Sequence, residues 1–248
     1  MTGDPSALLI AAGTFLFVLS FALRMRPRRF YLVRHGETVL NAKHVRQGEE
    51  GELSEEGRAQ ADRVGKALAP LHIKRIISSS YPRAQETANL MNKHLGAPLV
   101  VSPLFAERRN PHEIIGKKRS LPEVKIIVDK IENTYHEDDY RYSDEENFAD
   151  LKVRASKALA LLSRQGKDRT VVVTHHVFLK ILLAYMLQHE FLHDGDFTKV
   201  SYFNFSDNAT VSIAEYSPWH RFSHTRGWKI LAYNVQPEDL TKKITNPE

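Results

Sequence analysis

The chain has 248 residues, 42% hydrophobic and 26% charged, which is enough to bury one large core and leave an appendage. Its net charge of +5 is poor support for nucleic-acid binding: residues 1–29 hold Arg24, Arg26, Arg28 and Arg29 against one acid, Asp4, so the rest carries only +2. The lack of cysteine excludes disulfides, thiolate nucleophiles, Cys-ligated zinc and hence a cysteine-dependent phosphatase.

The first predicted element is the uncharged run Ala7 to Leu23. As a helix it would extend about 26 Å, just enough for a bilayer core. It reads as a single-pass membrane anchor and not as a cleaved signal, because its basic residues follow the apolar run instead of preceding it. The positive-inside rule puts Arg24 to Arg29, and the domain after them, on the cytoplasmic side. The alternative is translation from Met25, which gives a soluble cytoplasmic protein.

From Phe30 onward strands alternate with helices. Phe30 to Val33 is a short apolar strand, and Leu53 to Ala69 a helix with Ser54 at its N-cap and Ala61, Val64 and Leu68 on one face. Ile73 to Ser78 is the next strand. Pro82 suits the first turn of a helix that Gly96 closes. Leu99 to Val101 is a third strand, and Glu123 to Tyr135 a helix through Val124, Ile127, Val128 and Ile131. Ser143 to Glu146 reads as a capping box that opens a helix with Phe148, Leu151, Ala155, Leu159 and Leu162 inward. Thr170 to Thr174 is a buried strand and Phe178 to Leu187 a core helix; Thr210 to Tyr216 and Trp228 to Asn234 are the last strands. The order predicts an α/β three-layer sandwich, with a mainly parallel central sheet and helices on both faces.

In such sheets, functional groups collect at the carboxyl ends of the strands. Arg34 and His35 follow the first strand, Ser78 to Arg83 the second, Glu107 lies just after the third, and His175 and His176 follow the valine strand. A neutral imidazole can attack phosphorus, guanidinium groups match phosphate oxygens bidentately, and a carboxyl group can protonate a leaving oxygen and then activate water. Covalent catalysis through a phosphohistidine needs that inventory and no metal. Taken singly these residues are unremarkable: a lone strand-end His is ordinarily structural, Arg83 a solvated charge, Glu107 a surface carboxylate. The basic set Arg108, Arg109, Lys117, Lys118 and Arg119 reads as a solvated loop face.

The blocks Leu32-Val-Arg-His-Gly-Glu-Thr38 with Asn41, Leu53-Ser-Glu-Glu-Gly-Arg-Ala-Gln-Ala61, Ser78-Ser-Ser-Tyr-Pro-Arg-Ala-Gln-Glu-Thr-Ala88, Leu104-Phe-Ala-Glu107, Val171-Val-Val-Thr-His175 and Asn208-Ala-Thr-Val211 occur in one order. In them the chain resembles the histidine phosphatase superfamily, in the branch of cofactor-dependent phosphoglycerate mutases and related phosphatases. The resemblance covers about Tyr31 to Tyr216. It implies that His35 is the phosphorylated nucleophile, that Arg34, Arg83 and His175 surround the phosphoryl oxygens, that Asn41 adds a phosphate contact, and that Glu107 is the proton donor and acceptor. It implies a phosphomonoester hydrolase with no cofactor and no metal. Its substrate would be a small phosphorylated molecule or a phosphoprotein, and not nucleic acid. Two departures stand out. His176 occupies a position where many members have Gly, so it is a candidate substrate contact, and Arg108 to Tyr142 does not read as the mutases' substrate segment, which favours hydrolysis. The domain division expected is 1–29, anchor and basic juxtamembrane segment, and 30–248, the catalytic domain. Mutase-type transfer is the alternative.

A rival pattern is His189-Glu190-Phe-Leu-His193, the zinc-protease spacing, with Glu215 as a conceivable third ligand. Asp194-Gly-Asp-Phe-Thr198 matches the aspartyl phosphatase pattern, but no buried strand precedes it.

Overall fold

A computed structural model of the chain describes residues 14–22, 25–135, 137, 140–193 and 206–240. Six strands, β1 (Arg28–Arg34), β2 (Arg75–Ser78), β3 (Leu99–Val101), β4 (Thr170–Thr174), β5 (Val211–Tyr216) and β6 (Trp228–Val235), form one sheet in the order β3-β2-β4-β1-β5-β6. Pairing is parallel from β3 through β1 and antiparallel where β5 joins β1 and β6 joins β5. The sheet is therefore mixed: a parallel half with an antiparallel edge.

Residues 14–22 form a helix, α1. It is followed by α2 (Val39–Ala42), α3 (Glu55–Leu68), α4 (Pro82–Leu95), α5 (Pro122–Asn133), α6 (Phe148–Gln165) and α7 (His176–Gln188). Strand alternation explains the layers. In β1, Phe30 and Leu32 face a core shared with α5, α6 and α7, while Tyr31 and Val33 face one shared with α3 and α4. In β4, Val172 belongs to the first core and Val171 and Val173 to the second. A strand buried on both faces must be apolar throughout, which is what the three valines supply.

The predicted helix signals hold at α3, where Ser54 Oγ accepts from Gly57 N–H, and at α4, which has Pro82 in its first turn and Gly96 left-handed at its end. The opening of α6 differs from the expected Ser143–Glu146 box. The cap is Asn147, which pairs reciprocally with Asp150. Buried Glu145 accepts from the backbone of Tyr142 and Ser143, which folds that segment into a turn, and Glu146 pairs with Arg154 instead. β1 also starts two residues before Phe30: Arg28 donates to the carbonyl of Gly166 just past α6 (2.8 Å) and lies over the Tyr216 ring, so it belongs to the folded domain.

Among the described residues no helix is long and apolar enough to cross a membrane. Part of the expected anchor, Ala7 to Leu23, lies outside the described residues, as does the Asp194–Thr198 pattern.

Candidate active site

Three parallel strands end side by side, and their continuations carry the polar groups. His35 N–H bonds to the carbonyl of Thr174 (2.9 Å), and Ser79 N–H to that of Val173 (2.9 Å), so β1 and β2 both remain laddered to β4 one residue beyond their ends. That register sets the His35 and His175 rings 5.0 Å apart between centroids. Behind the first turn Gly36 lies against Gly57 of α3. A Cβ on Gly36 would sit 2.4 Å from the Gly57 carbonyl oxygen, and one on Gly57 would sit 1.9 Å from that of Glu37, so neither position admits a side chain.

A cavity of about 300 Å³ opens at these strand ends, and Arg34, His35, Asn41, Arg83, Glu107 and His176 all line it. The sequence expectation thus brings six of its seven residues to one cavity. The seventh, His175, is wholly buried behind it, with the His35 and Tyr81 rings against its own. Its Nε2 meets Ser79 Oγ at 2.7 Å, and its Nδ1 is buried with no partner among the described residues.

His35 has a defined tautomer. Its Nδ1 lies 2.7 Å from the Gly36 carbonyl oxygen, which can only accept, so Nδ1 carries the proton and Nε2 keeps its lone pair. Burial, with Arg83 and then Arg34 nearby, holds the imidazole well below its usual pKa. The same burial, together with His35 and the two arginines, depresses His175. His176, whose Nδ1 meets Ser206 Oγ at 2.8 Å, is pushed down to about 4, chiefly by burial and then by Arg34. Arg34 donates to the Ser206 carbonyl and, though burial lowers it to about 10, remains a cation at neutral pH. Arg83 is 2% exposed; one of its terminal nitrogens donates to the carbonyls of Gly48, Glu49 and Glu50 at 3.0–3.1 Å. Asn41 accepts from Thr38 N–H across the α2 capping box, leaving its amide N–H₂ for a ligand.

Glu107 sits at the amino end of α7. Its Oε1 accepts from Arg108 N–H (2.9 Å) and Phe178 N–H (3.0 Å), and its Oε2 from Val177 N–H (3.2 Å). A helix amino terminus leaves such donors free and favours an anion. Arg154 of α6 fixes the loop that carries Glu107: it donates to the carbonyls of Leu104, Ala106 and Glu107, pairs with Glu146 and stacks 4.0 Å over Phe178.

Sequence reasoning missed several groups. Arg46, Gln47, Asn110, Ser206 and Asp207 also line the cavity, as do Arg108 and Arg119. For Arg108 the expectation of a solvated loop face is corrected: it is 5% exposed because the chain turns it inward onto Tyr135. Arg119 is exposed, as expected, and backbone pairing with His44 also holds it at the cavity. The Ser79 and Arg154 roles carry no local signal, since each depends on contacts distant in sequence.

The zinc-protease pattern does not assemble. α7 ends at Gln188, His189 has a φ of 51° and donates from Nε2 to the Thr225 carbonyl, and Glu190 pairs with Arg226. Without a continuing helix the two histidines do not share a face. Among the described residues the one group spaced for a metal is His112, Glu113 and Asp144, largely exposed and outside the cavity.

A mixed α/β sheet with an arginine- and histidine-lined cavity at its strand ends is the architecture of a phosphoryl-transfer enzyme. Over residues 30–229 the chain matches the histidine phosphatase superfamily (branch 1), and it belongs to that family. It is 31% identical over 166 residues to a probable phosphoglycerate mutase of Erwinia tasmaniensis, covering 63% of this chain and 74% of that one. It is 28% identical over 223 residues to a probable phosphatase of Schizosaccharomyces pombe, covering 87% and 99%. In fold it is similar to a mycobacterial glucosyl-3-phosphoglycerate phosphatase, with a TM-score of 0.68 and 21% identity over 84% of this chain and 99% of that one.

Proposed function

We propose that the protein hydrolyses phosphomonoesters through a phosphohistidine on His35. The observation that carries this reading is the His35 tautomer: Nδ1–H is committed to the Gly36 carbonyl, and the free Nε2 belongs to a neutral imidazole beside two guanidinium groups. In the first step Nε2 forms a bond to phosphorus as the ester P–O bond breaks, and Glu107 gives a proton to the leaving oxygen. In the second, Glu107 takes a proton from water, whose oxygen attacks phosphorus and breaks the P–N bond, releasing inorganic phosphate and restoring His35. Glu107 Oε2 accepts one backbone hydrogen bond where Oε1 accepts two, so Oε2 is the oxygen assigned to the proton. Arg34, Arg83 and the Asn41 amide neutralise and orient the phosphoryl oxygens. His175 backs the His35 ring, and its unpartnered Nδ1 becomes a phosphoryl contact when substrate is bound. His176 adds a neutral contact at the cavity wall. No step requires a metal.

The direct test is turnover of p-nitrophenyl phosphate in EDTA. His35→Ala abolishes it and His189→Ala spares it; the reverse pattern would sink the reading. Mutase-type transfer, favoured by the Erwinia relative, is distinguished by phosphoglycerate interconversion that depends on a bisphosphorylated primer.

We also infer that Ala7 to Leu23 tethers the domain to a membrane, with the catalytic cavity on the cytoplasmic side. Supporting this, every described residue of α1 is exposed, with Phe15, Leu16 and Phe17 each above 60%, and Arg26 follows the apolar run. Fractionation of cells expressing the full chain and a form starting at Met25 tests it: the full chain pellets with membranes and the shorter form does not. A full chain found in the soluble fraction would overturn the inference.

A further inference from the structure

The end of the sheet remote from the catalytic cavity presents aromatic and basic side chains together. Tyr216 pairs with Arg28 across β5 and β1 and with Trp228 across β5 and β6, so the connection 217–227 caps the amino end of β1, where the chain arrives from α1. This connection is a built turn: Ser217 N–H donates to the Gly227 carbonyl (2.8 Å), Ser223 N–H to that of His220 and Arg226 N–H to that of Ser223 (each 2.9 Å). Gly227, at a φ of 91°, closes it, since a Cβ there would sit 2.4 Å from the Ser217 carbonyl oxygen. Held in this way, Trp219 and Phe222 are 62% and 87% exposed. The Trp219 ring meets Phe21 of α1 edge-on at 6.2 Å, so the turn and the apolar helix share one surface.

Basic groups accompany those rings. Arg221 lies 4.6 Å from the Phe222 ring centroid. Behind the turn, Arg164, Arg221 and Arg226 line a cavity of about 380 Å³ against one carboxylate, Glu190, which pairs with Arg226. Three cations and one anion leave that lining at +2 with histidine counted as neutral. Tryptophan concentrates at the lipid–water boundary because its ring is apolar and its N–H polar, and arginine is drawn to negative headgroups. A protein partner could use the same rings, but the contact with α1 and the positive charge favour lipid.

We propose that residues 217–227 form a second membrane contact, in which Trp219 and Phe222 enter the interface of an anionic bilayer and Arg221 and Arg226 meet its headgroups. This rests on the tethering inference above and extends it: α1 holds the domain at the surface, and the turn sets its orientation. Alone the turn binds weakly; beside the tether it acts at high effective concentration. The steps from Arg28 to Arg34 along β1 then put the catalytic cavity about 20 Å farther from the bilayer, on the side of phosphoesters dissolved in water.

The test is spin-label depth on the full chain. The chain lacks cysteine, so Phe222→Cys and Val101→Cys, both at exposed positions, each take a single nitroxide. Val101 ends β3 at the cavity end of the sheet. On vesicles of mixed phosphatidylcholine and phosphatidylserine, the label at position 222 should gain access to oxygen and lose tenfold or more in collisions with a water-soluble nickel chelate, while the label at position 101 keeps both. Arg221→Gln combined with Arg226→Gln, or phosphatidylcholine alone, should cut the ratio of docked to free turn about tenfold. Flotation with vesicles while position 222 stays open to the chelate would overturn the turn's contact and leave the tether standing. Flotation that salt reverses, with position 222 protected, would fail the tether and uphold the turn. Neither flotation nor protection would overturn both. Protection without vesicles, rising with protein concentration, would assign the rings to a second copy of the chain and overturn the lipid contact.

Discussion

In the proposed mechanism His35 acts by being neutral at a pH where a free histidine is partly charged. An imidazole with a depressed pKa stays unprotonated well below pH 6.5, so kcat/KM should show no fall with a midpoint near 6.5 as the pH is lowered; such a limb in the profile would contradict the assignment. Stability carries the opposite signature. His35 and His175 are both buried neutral, and the unfolded chain binds protons at them more readily than the folded one. Their contribution is intact above about pH 6.5 and is lost as the pH falls below it, at up to about 1.4 kcal/mol per pH unit for each. Thermal unfolding at pH 7.5 and pH 5 should show a clear loss in Tm at the lower pH, and His175→Gln should shrink it. For Glu107, Glu107→Gln should lower kcat on an alkyl phosphomonoester about 10²- to 10⁴-fold. Phosphoenzyme formation from p-nitrophenyl phosphate, whose leaving group needs little proton help, should suffer less; equal losses in single-turnover rates would argue against proton donation.

At the scale of elements, the site depends on how loops are pinned to helices. Arg154 holds the Glu107 loop through three carbonyls and the Glu146 carboxylate. Arg154→Met should cost about 2–4 kcal/mol, read by urea denaturation, because it leaves buried acceptors unmet. It should also lower kcat through a displaced Glu107. The Gly36 and Gly57 contact brings α3 against the turn after β1, and Gly57→Ala should destabilise by about 1–3 kcal/mol or more, since a Cβ would meet backbone and not a side chain that can move aside. Helices and strands were largely legible because their signals are local: Ser54, Pro82, Gly96 and the three valines each act within a few residues. The Ser143 box was misread because the side chain that decides it, Glu145, turns back on its own backbone, and Asn147 offers an equivalent cap four residues on.

For the whole molecule, parallel pairing of β1, β2 and β4 helps make one cavity from residues scattered between Arg34 and Asp207. The strand-end rule and the order of the blocks made six cavity residues readable from the sequence. Arg46 and Arg119 were not, because the pairing of residues 44–46 with 116–119 has no periodicity to announce it, and an arginine in a loop looks solvated until its neighbour across the cavity is known. The central claim is that the phosphoryl group passes through His35. Its most direct test is to quench the wild-type protein with labelled substrate and map the label. Acid-labile, base-stable phosphate on the peptide containing His35, absent in His35→Ala, is the predicted result. Turnover with no phosphoenzyme trapped at any time, or label on another residue, would contradict it.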